Sequence, residues 1–244
     1  VIDGQPLACF QPFIDTATGR IAGVEALGRL RQADGQLTSA DPRTPATALR
    51  RLDRQVRDNA LSRLHEAPDE WFLSLNISPR WISRLRQGQA LPSLKQLQQH
   101  GVDPRRIVFE ITELGGDSQQ LAEVVARYRT AGARIAIDDF GAGYSQLDRV
   151  LALQPDILKL DMRLFQAAAR GGPSSEVVKA LAQMAEKTGC RRSSDLPWNA
   201  ARVMSRVTCS PRPSRRFFAA TPSSPASPNC ANVMYSRSSP NGRG

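Results

Sequence analysis

Five segments of the chain alternate apolar residues with polar or charged ones, and each carries its polar group near its C-terminal end. Successive strand side chains point to opposite faces, so this alternation predicts half-buried strands. Residues 24–29 place Glu25, Leu27 and Arg29 on one face. Residues 72–77 set Leu73, Leu75 and Ile77 against Asn76, and residues 107–112 set Ile107, Phe109 and Ile111 against Glu110. In residues 135–138 the isoleucines oppose Asp138; in residues 157–161 Leu158 and Leu160 oppose Lys159 and Asp161. With an N-terminal segment added, strands are predicted over 7–14, 23–30, 72–78, 107–113, 134–140 and 157–161. Between them, apolar residues recur at helical spacing. One set is Leu49, Leu52, Val56, Ala60 and Leu64; a second, behind a Ser118 cap, is Leu121, Val124, Val125 and Tyr128. A third, behind Ser174 or Ser175, is Val177, Val178, Leu181 and Met184, closed by Gly189. Strand–helix alternation predicts α/β architecture with a parallel sheet. Polar groups gathered at C-terminal strand ends predict a (β/α)8 barrel.

Residues 134–145 read Arg-Ile-Ala-Ile-Asp-Asp-Phe-Gly-Ala-Gly-Tyr-Ser, a strand ending in two adjacent carboxylates and a glycine-containing loop. Two carboxylates at a strand end are costly to place unless they meet a cation. A magnesium or manganese site accounts for them, because hard cations take oxygen ligands. A solvated Asp-Asp turn is the plain alternative, and the matching residues on the other strands favour the metal.

Six motifs in order resemble those of the EAL domains, bacterial phosphodiesterases of the second messenger cyclic di-GMP. They are Gln11-Pro12, Glu25-Ala26-Leu27 with Arg29, Asn76-Ile77-Ser78, Glu110-Ile111-Thr112-Glu113, Asp138-Asp139-Phe140-Gly141 and Lys159-Leu160-Asp161. The resemblance covers roughly residues 5 to 190. It implies a modified (β/α)8 barrel whose first strand runs antiparallel to the rest. It implies that Glu25, Asn76, Glu110 and Asp138 ligate one divalent cation, Mg²⁺ or Mn²⁺, and that Asp138 and Asp139 serve a second. Arg29 would hold a substrate phosphate, which suits its forked donors. Lys159 would neutralise charge near the attacking water and, with Asp139, supply the catalytic groups. Gln11 and Asp161 would line the site. Glu113 would anchor the loop from Phe140 to Ser145, which in the family supports metal binding and dimer contacts, so a homodimer is implied. Plainer readings exist for Arg29 as a surface arginine and for Lys159 with Asp161 as a buried pair. Gly28 departs from the large apolar residue usual after the tripeptide and is expected to loosen the strand end.

Composition changes after residue 190. Residues 191–244 hold 9 Arg, no Lys, 11 Ser, 7 Pro and one acid, Asp195, for a net charge of +8; the first 190 residues carry +2. Such a segment lacks strand periodicity and has too little apolar surface to order itself. The family carries a Glu-Gly-Val-Glu motif near this point, whose first glutamate works with the metal-bound water, and a later strand that brings in a glutamine. Here the chain reads Cys190-Arg191-Arg192-Ser193-Ser194-Asp195-Leu196-Pro197, and no Glu or Gln follows Glu186. Residues 1–190 are therefore expected to form an EAL-type barrel that is incomplete at its C-terminal strands, and residues 191–244 an irregular basic tail. Arg, Ser, Pro and Ala dominate mistranslated GC-rich sequence. A neighbouring frame of Leu196-Pro197-Trp198-Asn199 can read Ala-Val-Glu, so a frameshift is one origin for the tail.

An arginine-rich tail can attract nucleic acid or an anionic membrane. Aromatic residues interleave with the basic ones only at Phe217-Phe218, and no nucleic-acid motif is present, so nucleic acid is not expected as a partner. No 18-residue apolar run predicts a membrane span, and no secretory signal begins at Val1. Cys9, Cys190, Cys209 and Cys230 lack CxxC spacing, which predicts free thiols in a cytoplasmic protein. The start, almost on the first strand, is read as a piece of a larger signalling protein. The expected function is metal-dependent hydrolysis of cyclic di-GMP to linear pGpG, weak or lost for want of the later glutamate. The alternative is a signalling module that binds cyclic di-GMP without cutting it.

Overall fold

The computed structural model describes residues 4–15, 18–41, 44–77, 89–111, 118–141 and 147–187. Strands β1 (Gln5–Ile14) and β2 (Ile21–Arg31) form an antiparallel pair with Gln11 opposite Glu25. A short β3 (Leu37–Thr38) folds back on the end of β2. Strands β4 (Phe72–Ile77), β5 (Ile107–Ile111), β6 (Arg134–Phe140) and β7 (Ile157–Leu160) then add in parallel, in the order β1-β2-β4-β5-β6-β7. Helices α1 (Ala46–Leu61), α2 (Pro92–Gln99), α3 (Ser118–Thr130), α4 (Leu147–Leu153), α5 (Met162–Ala169) and α6 (Pro173–Lys187) occupy the intervals and the end. This is the barrel-type α/β fold the alternation predicts, with its first strand antiparallel.

The two faces of the sheet do different work. The outer face carries Leu73, Leu75, Ile77, Ile107, Phe109, Ile111, Ile135, Ile137, Leu158 and Leu160. These pack in one cluster with Leu52, Val56 and Ala60 of α1 and with Leu121, Val124, Val125 and Tyr128 of α3. Burying one such side chain is worth about 1.5–3 kcal/mol, so this interface dominates the hydrophobic term. The inner face holds a smaller cluster of Phe13, Ala22, Phe72, Val108, Ala136 and Ile157. The Phe13 and Phe72 rings stack with centroids 5.2 Å apart. Layers of inward side chains of this kind fill small barrels.

Two glycines let neighbouring parts approach. A Cβ on Gly23 would lie 2.5 Å from both the Cδ1 and the carbonyl oxygen of Phe72, so β2 and the aromatic floor meet only because it is absent. Gly141, just past β6, has φ +102°, and a Cβ there would lie 2.6 Å from Leu164 Cδ2 of α5. Gly28 faces α1, where a Cβ would sit 3.3 Å from Val56 Cγ2. The small residue thus admits the helix, and β2 continues past it to Arg31.

The boundaries differ from expectation in detail. Helix α1 ends at Leu61, and Leu64 is buried instead in a 3-10 turn spanning Leu64–Glu66. Helix α6 starts at Pro173, whose fixed φ suits a first helical position. The expected Gly189 cap and the whole tail from 191 lie outside the described residues. Among the described residues, no helix is long and apolar enough to cross a membrane.

Gly23→Ala should lower stability by about 1–3 kcal/mol through overpacking against Phe72. Gly28→Ala should cost less, because only the tip of Val56 must give way. Urea midpoints of the two variants, compared with the parent, check the order.

Candidate metal centre

The inner face turns from apolar to charged two residues further along each strand. Phe72 is followed by Ser74 and Asn76, Val108 by Glu110, Ala136 by Asp138 and Ile157 by Lys159. Strand period makes each pair share a face. Parallel register sets Asn76 beside Glu110, and β2 brings Glu25 level with Ser74. The result is a charged layer directly above the aromatic floor.

Oxygen atoms of Glu25, Glu110 and Asp138 lie within 4.8 Å of one another. All three residues are buried, at 1%, 0% and 3% exposure. Lys159, 3% exposed, places its ammonium 3.2 Å from Glu25 Oε2 and 3.2 Å from Asp138 Oδ2, and in contact with Glu110 Oε2. Its Nζ also stands 5.7 Å from the Phe13 ring centroid. Asn76 Nδ2 donates to Glu25 Oε1 at 3.2 Å. Burial pushes the Glu110 carboxyl up to about 7, with Lys159 pulling down and the neighbouring Glu25 and Asp138 charges adding to the rise. For Lys159 burial opposes the charged form, but the three carboxylates outweigh it and hold the ammonium above its ordinary pKa.

The donor set fits a divalent cation. Three buried carboxylates converge here on one ammonium. Hard cations bind oxygen at about 2.0–2.6 Å, so the oxygens around one ion stand no more than about 4–5 Å apart, and those of the three carboxylates lie within 4.8 Å of one another. Glu25, Glu110 and Asp138, with the Asn76 amide oxygen after a flip, would hold such an ion.

The remaining expected residues are placed as follows. Asp139 is exposed, with φ +54°, and its backbone N–H donates to Asp138 Oδ1 at 2.9 Å. Asp138 keeps the inward face of Ala136 by strand period, and the β6–β7 register shifts between Ile137 and Phe140, the stretch in which Asp139 takes its left-handed backbone. Asp139 is therefore not one of the three converging carboxylates. Gln11 is half-buried opposite Glu25. Arg29 is half-buried, four residues beyond Glu25 on the same strand face, about 13 Å along the strand at ~3.3 Å per residue. Its guanidinium donates to Gly28 O at 2.7 Å. Asp161 caps α5, its carboxylate accepting from the Arg163 N–H at 2.8 Å. Glu113 and residues 142–146 lie outside the described residues.

Ser74 belongs to this layer and is absent from the sequence expectation. It is 0% exposed, and its hydroxyl donates to Glu110 Oε1. The signal was available: Ser74 shares the face of Asn76 by strand period.

With this geometry in hand, the comparisons with known proteins are specific. Residues 3–192 match the EAL domain family. The Bacillus subtilis EAL-domain containing protein YkuI is 30% identical over 190 residues, covering 75% of this chain and 46% of YkuI. The probable cyclic di-GMP phosphodiesterase PdeB of Escherichia coli is 32% identical over 166 residues, covering 65% of this chain and 32% of PdeB. The chain thus spans less than half the length of these relatives. The crystal structure of YkuI in complex with substrate c-di-GMP and calcium superposes with a TM-score of 0.66 at 27% identity, over 82% of this chain and 52% of that one. A manganese/cy-diGMP complex of Klebsiella pneumoniae BlrP1 gives 0.61 at 26% identity, over 76% and 48%. Motif order, barrel topology and the converging carboxylates agree with these matches, and the chain belongs to the EAL domain family.

Proposed function

We propose that this chain binds cyclic di-GMP at the C-terminal ends of its strands and is built to hydrolyse one phosphodiester bond to give linear pGpG, at a low rate. The observation that carries the reading is the convergence of Glu25, Glu110 and Asp138 around Lys159. The cyclic di-GMP complexes of YkuI with calcium and of BlrP1 with manganese support it. Glu25, Asn76, Glu110 and Asp138 would hold Mg²⁺ or Mn²⁺, and Asp139 would reach a second ion. When bound, such an ion supplies an acidified water and charge stabilisation at the scissile phosphate.

The chain's own groups then have separable tasks. Arg29 offers a forked donor to a phosphate at the strand end. Lys159, fixed by three carboxylates and the Phe13 ring, brings a permanent positive charge next to the reacting phosphate. Gln11 and Asp161 flank the opening. The weak point is proton removal from the attacking water, for which the family uses a glutamate from a later strand. No Glu or Gln follows Glu186 in this sequence. That observation favours a second reading, a module that binds cyclic di-GMP without hydrolysing it.

Two measurements test the proposal. Mn²⁺ should raise the thermal unfolding temperature, since a ligand of the folded state stabilises by RT ln(1 + [L]/Kd). EDTA should reverse the shift, and Glu110→Gln or Asp138→Asn should reduce it; no shift at millimolar Mn²⁺ would remove the metal from the account. In a cyclic di-GMP assay with Mn²⁺, binding is expected together with pGpG release about 10²–10⁴-fold slower than by an EAL enzyme with its general base, the usual cost of losing one. Full-rate turnover abolished by Glu25→Ala would show that another group removes the proton. Absence of cyclic di-GMP binding would refute both readings.

A further inference from the structure

Glu110 is fully buried, and its two oxygens have different partners: Ser74 Oγ at Oε1 and Lys159 Nζ at Oε2. The other oxygen within reach of the serine, Val108 O, stands at 3.5 Å, beyond the usual 2.5–3.0 Å for an O–H···O bond. The single hydroxyl proton of Ser74 is therefore committed to Glu110. The terminal torsion of a glutamate is broad and roughly two-fold, so the plane of its carboxylate is set by what the oxygens touch. Lys159 alone constrains one oxygen. Adding Ser74 at the other fixes the plane and leaves Oε2 against the Lys159 ammonium, which Glu25 and Asp138 share. Ser74 itself is rigidly placed, in mid-strand between Glu25 of β2 and Val108 of β5 in the register.

We propose that Ser74 is a positioning residue, whose hydroxyl fixes the Glu110 carboxylate plane and thereby sets the affinity of the site for its divalent cation. The proposal rests on the metal reading above. Groups that orient a metal ligand from behind are worth about 10–100-fold in metal affinity or activity. Removing the hydroxyl leaves a buried carboxylate oxygen short of a donor and frees the plane to rotate; the backbone of β4 is untouched.

The test is Mn²⁺ binding to the full 244-residue chain, read from the EPR signal of free Mn²⁺, with circular dichroism to verify folding. Ser74→Ala should weaken binding about 10–100-fold. Ser74→Thr, which keeps the hydroxyl, should retain most of the affinity. In a Glu110→Gln background the same Ser74→Ala change should have little further effect, because residues acting through one contact are not additive. If Ser74→Ala fails to fold, Ser74→Cys, of similar shape but with a weak donor, takes its place with the same expectation. Parent-like affinity in the hydroxyl-less variant, equal loss in both backgrounds, or failure of Ser74→Thr to rescue would each overturn the positioning role. A parent chain that does not bind Mn²⁺ would overturn the metal reading and this proposal with it; a parent that binds, with Ser74→Ala unchanged, overturns this proposal alone.

Discussion

Lys159 sits 3% exposed with its ammonium against Glu25, Glu110 and Asp138, all buried. Removing an ion from water costs several kcal/mol even after relaxation, and only close, well-bonded partners offset it. Four ionisable groups from β2, β5, β6 and β7 therefore constrain the strands to one register. A one-residue slip in any strand would turn its charged group onto the helix-packed face, where the cluster of Leu73, Phe109, Ile135 and Leu158 offers no partner. The charged layer is thus tied to the hydrophobic layer by strand period. Neither can be placed correctly without the other.

Most of this was legible in the sequence because the signal is strictly periodic. The outward leucines and isoleucines and the inward Glu25, Asn76, Glu110, Asp138 and Lys159 follow from alternation alone, and the structure brings four of those five inward groups to one ammonium or to each other directly. Asn76 joins through Glu25. Ser74 was overlooked because a lone serine in an apolar strand looks neutral, although its position two residues before Asn76 fixed its face. Arg134 shows the same limit. Its guanidinium lies 5.2 Å from the Phe72 ring centroid, and burial lowers its pKa to about 10. Nothing in its sequence context distinguishes it from a surface arginine at a strand start.

Other features were not legible because they depend on geometry that alternation does not encode. A strand pattern treats Asp138 and Asp139 as neighbours on opposite faces, but the register shift and the left-handed backbone at Asp139 decide how far apart they point. Asp161 reads as a site carboxylate by motif, yet it also stands first before a helix, where Asp favours capping. In the structure its carboxylate serves the Arg163 N–H. Gly28 reads as a weak point in a strand. Against α1 it is instead a clearance, set by the 3.3 Å that a Cβ would have to Val56.

The inner face explains why such a site is tolerated at all. Phe13, Phe72, Val108, Ala136 and Ile157 form an apolar cluster beneath the carboxylates, so the acids stand on a floor without polar groups. A low-dielectric floor strengthens every interaction above it. It makes three carboxylates repel more strongly, and it makes a cation placed among them more valuable. The apolar floor below, the Lys159 ammonium and the Ser74 hydroxyl on Glu110 therefore act on the same group of carboxylates. They hold the acids close together in a low-dielectric setting, the condition under which a buried acidic cluster gains most from a divalent cation.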